Sequence, residues 1–434
     1  MRQMQPRSVS AFEHQVIPIG EGEGLAITLQ EAYRLTQISE NRPGFCTLGY
    51  RSVKLAQYAG IVGLRGRVLE ILPKIEGEDR VPENGRGIFL RLLRLSRSVK
   101  LFVDEQVQHD LRRQSLLDIF ISAYFDAVSA IVRAGLLRRY QASEDDLTLI
   151  RGRMLIARQA ATHAMRVDRL ACRFDELTAD NEWNQCLRAA LHAVKPWISH
   201  IDLRRRWLEL SAALEDVSLC SVTQTHLDDL VFDRQAVRYK PAIQWAKWIL
   251  RVLSPNLRVG QNEAPGMIFD MNQLFESAVV TVLRRRAAAC AGMQVSAQEA
   301  GSYLAILAGS AGKPAIGLRP DIVVRERGET VAVADTKWSR VNVSPSGYLM
   351  PNEAHIYQMQ AYAAAYPCEH FTLIYPWHSG LKGSRQTTFE LPHIGARRPV
   401  VSVACIDVTS DAFVAVSGAS DSTVGKLLCN SRLA

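Results

Sequence analysis

Apolar and polar positions change their rhythm along the chain of 434 residues. From residue 15 to about 105 the apolar runs are short and broken by Gly and Pro, the pattern of strands and turns. "GIVGLRGRVLEILPKI" (Gly60–Ile75) predicts two strands around a turn at Arg65-Gly66, with Val68, Leu69, Ile71 and Leu72 as its apolar positions. A helix is expected near "GIFLRLLRLS". From 113 to about 255 the spacing becomes helical: "SLLDIFISAYFDAVSAIVRAGLL" repeats apolar residues every three or four positions and meets a stop signal at Gly135. "FDELTADNEWNQCLRAALHAV" predicts a helix capped by Thr178 or Asp180, and "AIQWAKWILRVL" a third that runs into Ser254-Pro255. The polar segment Ser254–Gly266 reads as a linker. Beyond it come a helix, strands, a second helix and more strands; after Ser417 the sequence is small and polar and reads as a frayed tail.

This gives a multidomain α+β chain: a β-rich domain over 1–112, a helical region over 113–258, an α/β domain over 259–417 and a tail over 418–434. In the third segment, "PDIVVRERGETVAVADTK" predicts a β-hairpin centred on Gly328. Side chains alternate faces along a strand, so Asp335 and Lys337 point the same way, and Asp321 falls opposite Asp335. Two carboxylates so placed repel unless they share a hard divalent cation such as magnesium, which takes oxygen ligands and activates water. Lys337 beside them would stabilise charge on an attacked phosphate. The geometry requires a loop of three or five residues; a two-residue turn at Arg327-Gly328 would put the aspartates on opposite faces. The bland alternative is an exposed hairpin with surface ion pairs. Against it, Ile322 and Val324 on one face and Val323, Val331 and Val333 on the other mark a strand pair buried on both sides.

Two helices flank this hairpin in sequence. "FDMNQLFESAVVTVLRRR" places Met271, Leu274, Phe275, Ala278, Val279, Val282 and Leu283 on one stripe, begins with Asp270 and Gln273 as a capping box, and carries Glu276 at the edge of the stripe. Position alone leaves Glu276 balanced between a metal ligand and a solvated side chain. "NEAHIYQMQAYAAAY" (Asn352–Tyr366) puts Gln358 and Tyr362 on one face, to touch substrate, to hold the lysine, or to pack.

Charge and cysteine usage narrow the class. The net charge of +8 suits a polyanionic partner, and most basic residues are arginine, clustered at Arg204–Arg206 and Arg284–Arg286. Each cluster reads equally as a phosphate fork or as a solvated helix face. The cysteines, at 46, 172, 186, 220, 290, 368, 405 and 429, include no CxxC pair, which argues against a zinc ribbon, a cluster or a disulfide framework. No apolar run reaches the length of a membrane helix and the N-terminus lacks a signal pattern, so a cytoplasmic protein is expected. "LAGSAGKP" (Leu307–Pro314) fails as a phosphate loop, since Leu307 and Pro314 stand where Gly and Ser or Thr are needed.

With those residues in view, "RPD" and "ADTKW" resemble the PD-(D/E)xK nuclease signature, and "QMQAY" resembles the QxxxY element of its RecB-like branch. "AGIVGLRGRVLEILPKI", "GLLRRY", "LIRGRMLIARQ", "FDELTADNEWN" and "MNQLFESAV" follow in the order of the McrC family, over residues 55 to 380. The resemblance implies a restriction-endonuclease-like fold for the third segment. It implies a metal site of Asp321, Asp335 and Glu276 holding Mg2+, with Lys337 and Gln358 in the catalytic set. It also implies methylated DNA as substrate and a McrB-like AAA+ GTPase hexamer as partner, stimulated through the region around Gly60–Ile75. Two rivals remain: a stand-alone RecB-like repair exonuclease, favoured by digestion without a partner, and a non-catalytic assembly subunit, favoured by no cleavage at all.

Overall fold

The structure, a computed structural model, describes residues 7–20, 25–64, 66–75, 81–96, 114–166, 168–253, 266–308, 314–410, 413–417 and 423–429. The expected linker over Ser254–Gly266 and the phosphate-loop lookalike over Leu307–Pro314 lie largely outside these residues. The chain divides into two compact units, and these are not the consecutive segments that the pattern suggests. Val62–Val68 and Leu116–Met267 contribute to one; Val9–Ile61, Leu69–Ser115 and Ile268–Ala434 build the other.

The first unit holds the helices Leu116–Arg133, Glu182–Val194, Ile201–Ala213 and Lys240–Leu253. Gly135, at φ 82, follows the first of them as its spacing requires. The helical expectation misses a three-stranded antiparallel sheet of Arg139–Leu147, Leu170–Thr178 and Arg153–Met154. Neither Thr178 nor Asp180 caps the helix at Glu182. Asn181 does, accepting from the Asn184 amide, while Asp180 takes hydrogen bonds from Ser218 and Gln185. Asn181 and Asn184 are buried because their amides satisfy the Leu137 carbonyl at 2.8 and 2.9 Å, and Tyr239 donates to Asn184 at 2.9 Å. This network ties the "GLL" turn to the "TADNEWN" helix start.

In the second unit a seven-stranded sheet is central. Its strands are β1 (Met293–Ala297), β2 (Ile322–Glu326), β3 (Glu329–Thr336), β4 (His370–Pro376), β5 (Thr388–Glu390), β6 (Val400–Ile406) and β7 (Ala415–Ser417). They lie in the order β1-β2-β3-β4-β6-β5, with β7 also on β6. β3, β4 and β6 are parallel and the other pairings antiparallel. The β3–β4 crossover contains helix α2 (Glu353–Ala365), capped by Asn352 and ending before Pro367. Met359, Tyr362 and Ala363 of α2 share one core with Val323, Val333, Phe371, Leu373 and Val401. The alternate residues Ile322, Val324, Ala332 and Ala334 are also fully buried, on the other face. There β3 meets α1 (Met271–Ala287) and α3 (Thr423–Cys429).

The α1 stripe is buried as its spacing demands. Asp270 caps it through the Asn272 and Gln273 amides. The arginines at its end are not a uniform solvated face: Arg286 is 1% exposed and donates to the carbonyls of Leu427, Leu428 and Phe413. Arg206 likewise sits in an ion pair with Asp126 at 2.5 Å. Within the expected frayed tail, the described residues Thr423–Cys429 form a helix instead. Val424, Leu427 and Leu428 of α3 are buried, and Arg286 takes up carbonyls that a helix end leaves unpaired.

Strands Tyr58–Leu64 and Arg67–Leu72 flank the expected turn, with Gly66 at φ 75. Every residue of the first strand is buried, as are Val68, Leu69, Ile71 and Leu72. Most side chains of Gly60–Ile75 therefore face the interior rather than a partner. Glu70 at 0% exposure is held by Arg86 at 2.7 Å and by Ser10 at 2.7 Å.

Candidate functional site

The turn of the β2–β3 hairpin is not the odd loop that the site needs. Glu326 pairs with Glu329, so Arg327 and Gly328 form a two-residue turn with φ of 51 and 94, the left-handed pair of a tight hairpin. Left alone, that turn would place Asp321 and Asp335 on opposite faces. A bulge compensates: Val324 pairs with Ala332 but Arg325 with Thr330, so Val331 is surplus. Beyond the bulge Val323 pairs with Val333 and Ile322 with Ala334. The next step of the same register brings Asp321 opposite Asp335.

Asp321 lies one residue before β2, and its Oδ2 accepts from the Thr336 amide at 2.7 Å and the Thr336 hydroxyl at 2.6 Å. Asp335 is 1% exposed, and the Lys337 ammonium forms an ion pair with its Oδ2. Past the strand end the Lys337 amide still donates to Ile374 of β4 at 2.8 Å, which fixes its direction. Gln358 of α2 accepts from Lys337 Nζ at 2.8 Å and donates to the Tyr362 hydroxyl at 2.8 Å and Asp335 Oδ1 at 3.3 Å. Tyr362 in turn donates toward Asp335 Oδ1 at 3.2 Å and the Arg319 carbonyl at 3.3 Å. The Gln–Tyr pair thus both packs and holds the acid–lysine pair.

Burial and the Asp335 charge raise the Asp321 carboxyl above its usual range, although the Thr336 hydrogen bonds pull the other way. Glu276 of α1 is pushed up to about 7 by burial, then by Asp321 and Asp335, with a hydrogen bond from Gln298 opposing. All three expected acids therefore sense one another. Among the described residues no three His, Cys, Asp or Glu side chains stand as a ready metal cage. The donor set nevertheless suits a hard divalent cation: buried carboxylates that repel one another, with one ammonium, paired to Asp335, beside them.

Spacing arguments missed three contributors. Thr336 orients Asp321. Gln298 bonds Glu276. His355 lies three residues before Gln358 on α2, and its Nδ1 pairs with the Tyr375 hydroxyl at 2.7 Å. Burial, with Lys337 nearby, lowers the His355 pKa. The three-residue spacing to Gln358 was a readable signal for His355; the other two depend on partners brought together only by the fold.

Residues 53–376 match the family model described as "McrBC 5-methylcytosine restriction system component". The chain belongs to the McrBC family. Its fold also resembles a chain of the refined half-complex from the tetradecameric assembly of Thermococcus gammatolerans McrB AAA+ hexamers with bound McrC. That chain aligns at a TM-score of 0.69 and 17% identity over 98% of this chain and 99% of the other. A chain of the Thermococcus gammatolerans McrBC complex aligns at a TM-score of 0.48 and 18% identity, over 64% of this chain and 88% of that one. No curated protein matches. In this member of the McrBC family, the matched span runs from the strand Ser52–Leu55 through α1 and the hairpin to the end of β4.

Proposed function

We propose that this chain is the nuclease subunit of a McrBC-type restriction system, hydrolysing phosphodiester bonds of DNA with magnesium on a PD-(D/E)xK-type core. The observation that carries this reading is the convergence of Asp321, Asp335 and Lys337 at adjoining strand ends, locked by Thr336 and Gln358. Asp321 and Asp335 would hold the cation, with Glu276 as third acid. Bound there, magnesium supplies charge neutralisation and a more acidic water. The chain's own residues do the rest. Gln358 keeps the Lys337 ammonium aimed at the acids, where it meets negative charge that develops on a phosphate. Tyr362 and Gln358 hold Asp335 in one rotamer, so its oxygens are placed before substrate arrives.

The partner in this reading is a McrB-like AAA+ GTPase hexamer, and the DNA carries 5-methylcytosine. Support comes from family membership and from a fold shared with a chain of an assembly of McrB hexamers with bound McrC. Because Gly60–Ile75 is mostly buried, the partner contact is sought outside that segment. The test is cleavage of methylated DNA by the chain mixed with the AAA+ partner, GTP and magnesium. Lys337→Ala is expected to lower the rate by about 10³-fold while partner binding persists. Cleavage at the unaltered rate by that variant would reject the site. Magnesium-dependent digestion by the chain alone would favour the exonuclease instead.

A further inference from the structure

A second concavity of the second unit has no role in the site just described. It measures about 350 Å³, within the range of small-ligand pockets. Its floor is buried: Glu13, Trp338 and His378 are 1%, 8% and 7% exposed. Its rim carries His14, Lys74 and Arg340, all exposed. Trp338 directly follows Lys337, so the pocket opens beside the strand ends, where sheets of this kind bind ligands.

Glu13 is the unusual group. Its Oε1 accepts from the Trp338 indole at 2.9 Å and the Lys74 amide at 2.7 Å. Its Oε2 is fully buried and accepts nothing. A buried carboxyl oxygen without a donor is costly, and natural folds keep such groups mostly where something else completes them. The rim adds positive charge, while burial and neighbouring lysines hold His14 toward its neutral form, and burial and Arg340 do the same for His378. The matching ligand therefore brings an anion to the rim and an N–H donor to the floor. Inorganic phosphate lacks the second; a simple amine lacks the first. A nucleotide has both, and every nucleobase offers a ring or exocyclic N–H.

We propose that this pocket binds a nucleotide, with its phosphate at Lys74 and Arg340 and its base donating to Glu13 Oε2. The inference draws on the nuclease reading only for the source of that nucleotide, a base turned out of the DNA strand beside the cut.

The full chain at about pH 8, where Glu13 has lost its proton, and in EDTA, which prevents turnover, is titrated calorimetrically with each deoxynucleoside 5′-monophosphate, with deoxyribose 5-phosphate and with a single-stranded tetranucleotide. At least one nucleotide probe is expected to bind about tenfold more tightly than deoxyribose 5-phosphate, because the sugar phosphate lacks the base donor. Glu13→Gln keeps an acceptor for Trp338 but loses the second carboxylate oxygen, so about tenfold weaker binding is expected with unchanged thermal unfolding. Binding of mononucleotides supports the proposal with a free nucleotide as source; binding of the tetranucleotide alone supports it with the strand as source. Equal affinity for deoxyribose 5-phosphate, equal affinity of Glu13→Gln, or no binding of either nucleotide probe overturns it. The calorimetry needs no cleavage, so a chain that binds the mononucleotides but cuts no DNA with its partner fails the nuclease reading alone, which separates the two failures.

Discussion

At the scale of single residues, the proposed chemistry separates groups that act from groups that hold. Lys337 and Asp335 face each other and the space where a phosphate would sit, whereas Gln358 reaches both without being charged. Gln358→Ala is therefore expected to slow cleavage by about 10-fold to 100-fold, well short of the Lys337→Ala loss; equal losses in a rate assay would mean that Gln358 acts directly. Glu13 makes a second prediction, for stability. Facing Trp338, Lys74 and Asp270, it is raised by burial from 4.5 to about 7. Below 4.5 the folded and unfolded states both keep its proton. Between 4.5 and 7 only the folded state keeps it, so stability falls as pH rises through this window and levels off above it. The loss is at most about 3 kcal/mol. Urea midpoints should show Glu13→Gln gaining on the unaltered chain between pH 4.5 and 8; a constant difference would contradict the shift.

At the scale of elements, the hairpin shows what the pattern tells and what it omits. Two apolar runs around Arg327-Gly328 specified the strands, and the facing acids were deducible given the right register. The two-residue turn was not the required one, and the bulge at Val331 restores the register because an extra residue flips every later side chain to the other face. Deletion of Val331 should abolish cleavage by turning Asp335 away from Asp321, with little change in circular dichroism; retained cleavage would show that register does not govern the site. The amphipathic helices were legible because their stripes are local, as in α1. The sheet strands among the helices of the first unit and the burial of α3 were not, since long-range partners decide both. Gly63 is a further case: a Cβ there would lie 1.9 Å from the Val252 carbonyl oxygen. Gly63→Ala should lower unfolding stability by about 3 kcal/mol, measured by chemical denaturation.

At the scale of the molecule, changes of rhythm marked sequence segments but not the compact units, one of which collects 9–61, 69–115 and 268–434. Such interleaving is invisible to local periodicity. Among the described residues no helix is long and apolar enough to cross a membrane. Magnesium offers a whole-molecule test. A cation bound at the repelling acids stabilises the fold by mass action, about 2.7 kcal/mol at a hundredfold excess over Kd. The melting temperature should rise with magnesium in the unaltered chain and stay level in an Asp321→Asn, Asp335→Asn double variant; a parallel rise in both would place the ion elsewhere.

The bond from Trp338 to Glu13 spans 325 positions of sequence. A recombinant fragment begun at residue 259, where the change of rhythm invites a cut, would strand that indole proton beside Lys337. Anyone excising that segment should therefore co-express the leading peptide with it, or graft an acceptor in its place.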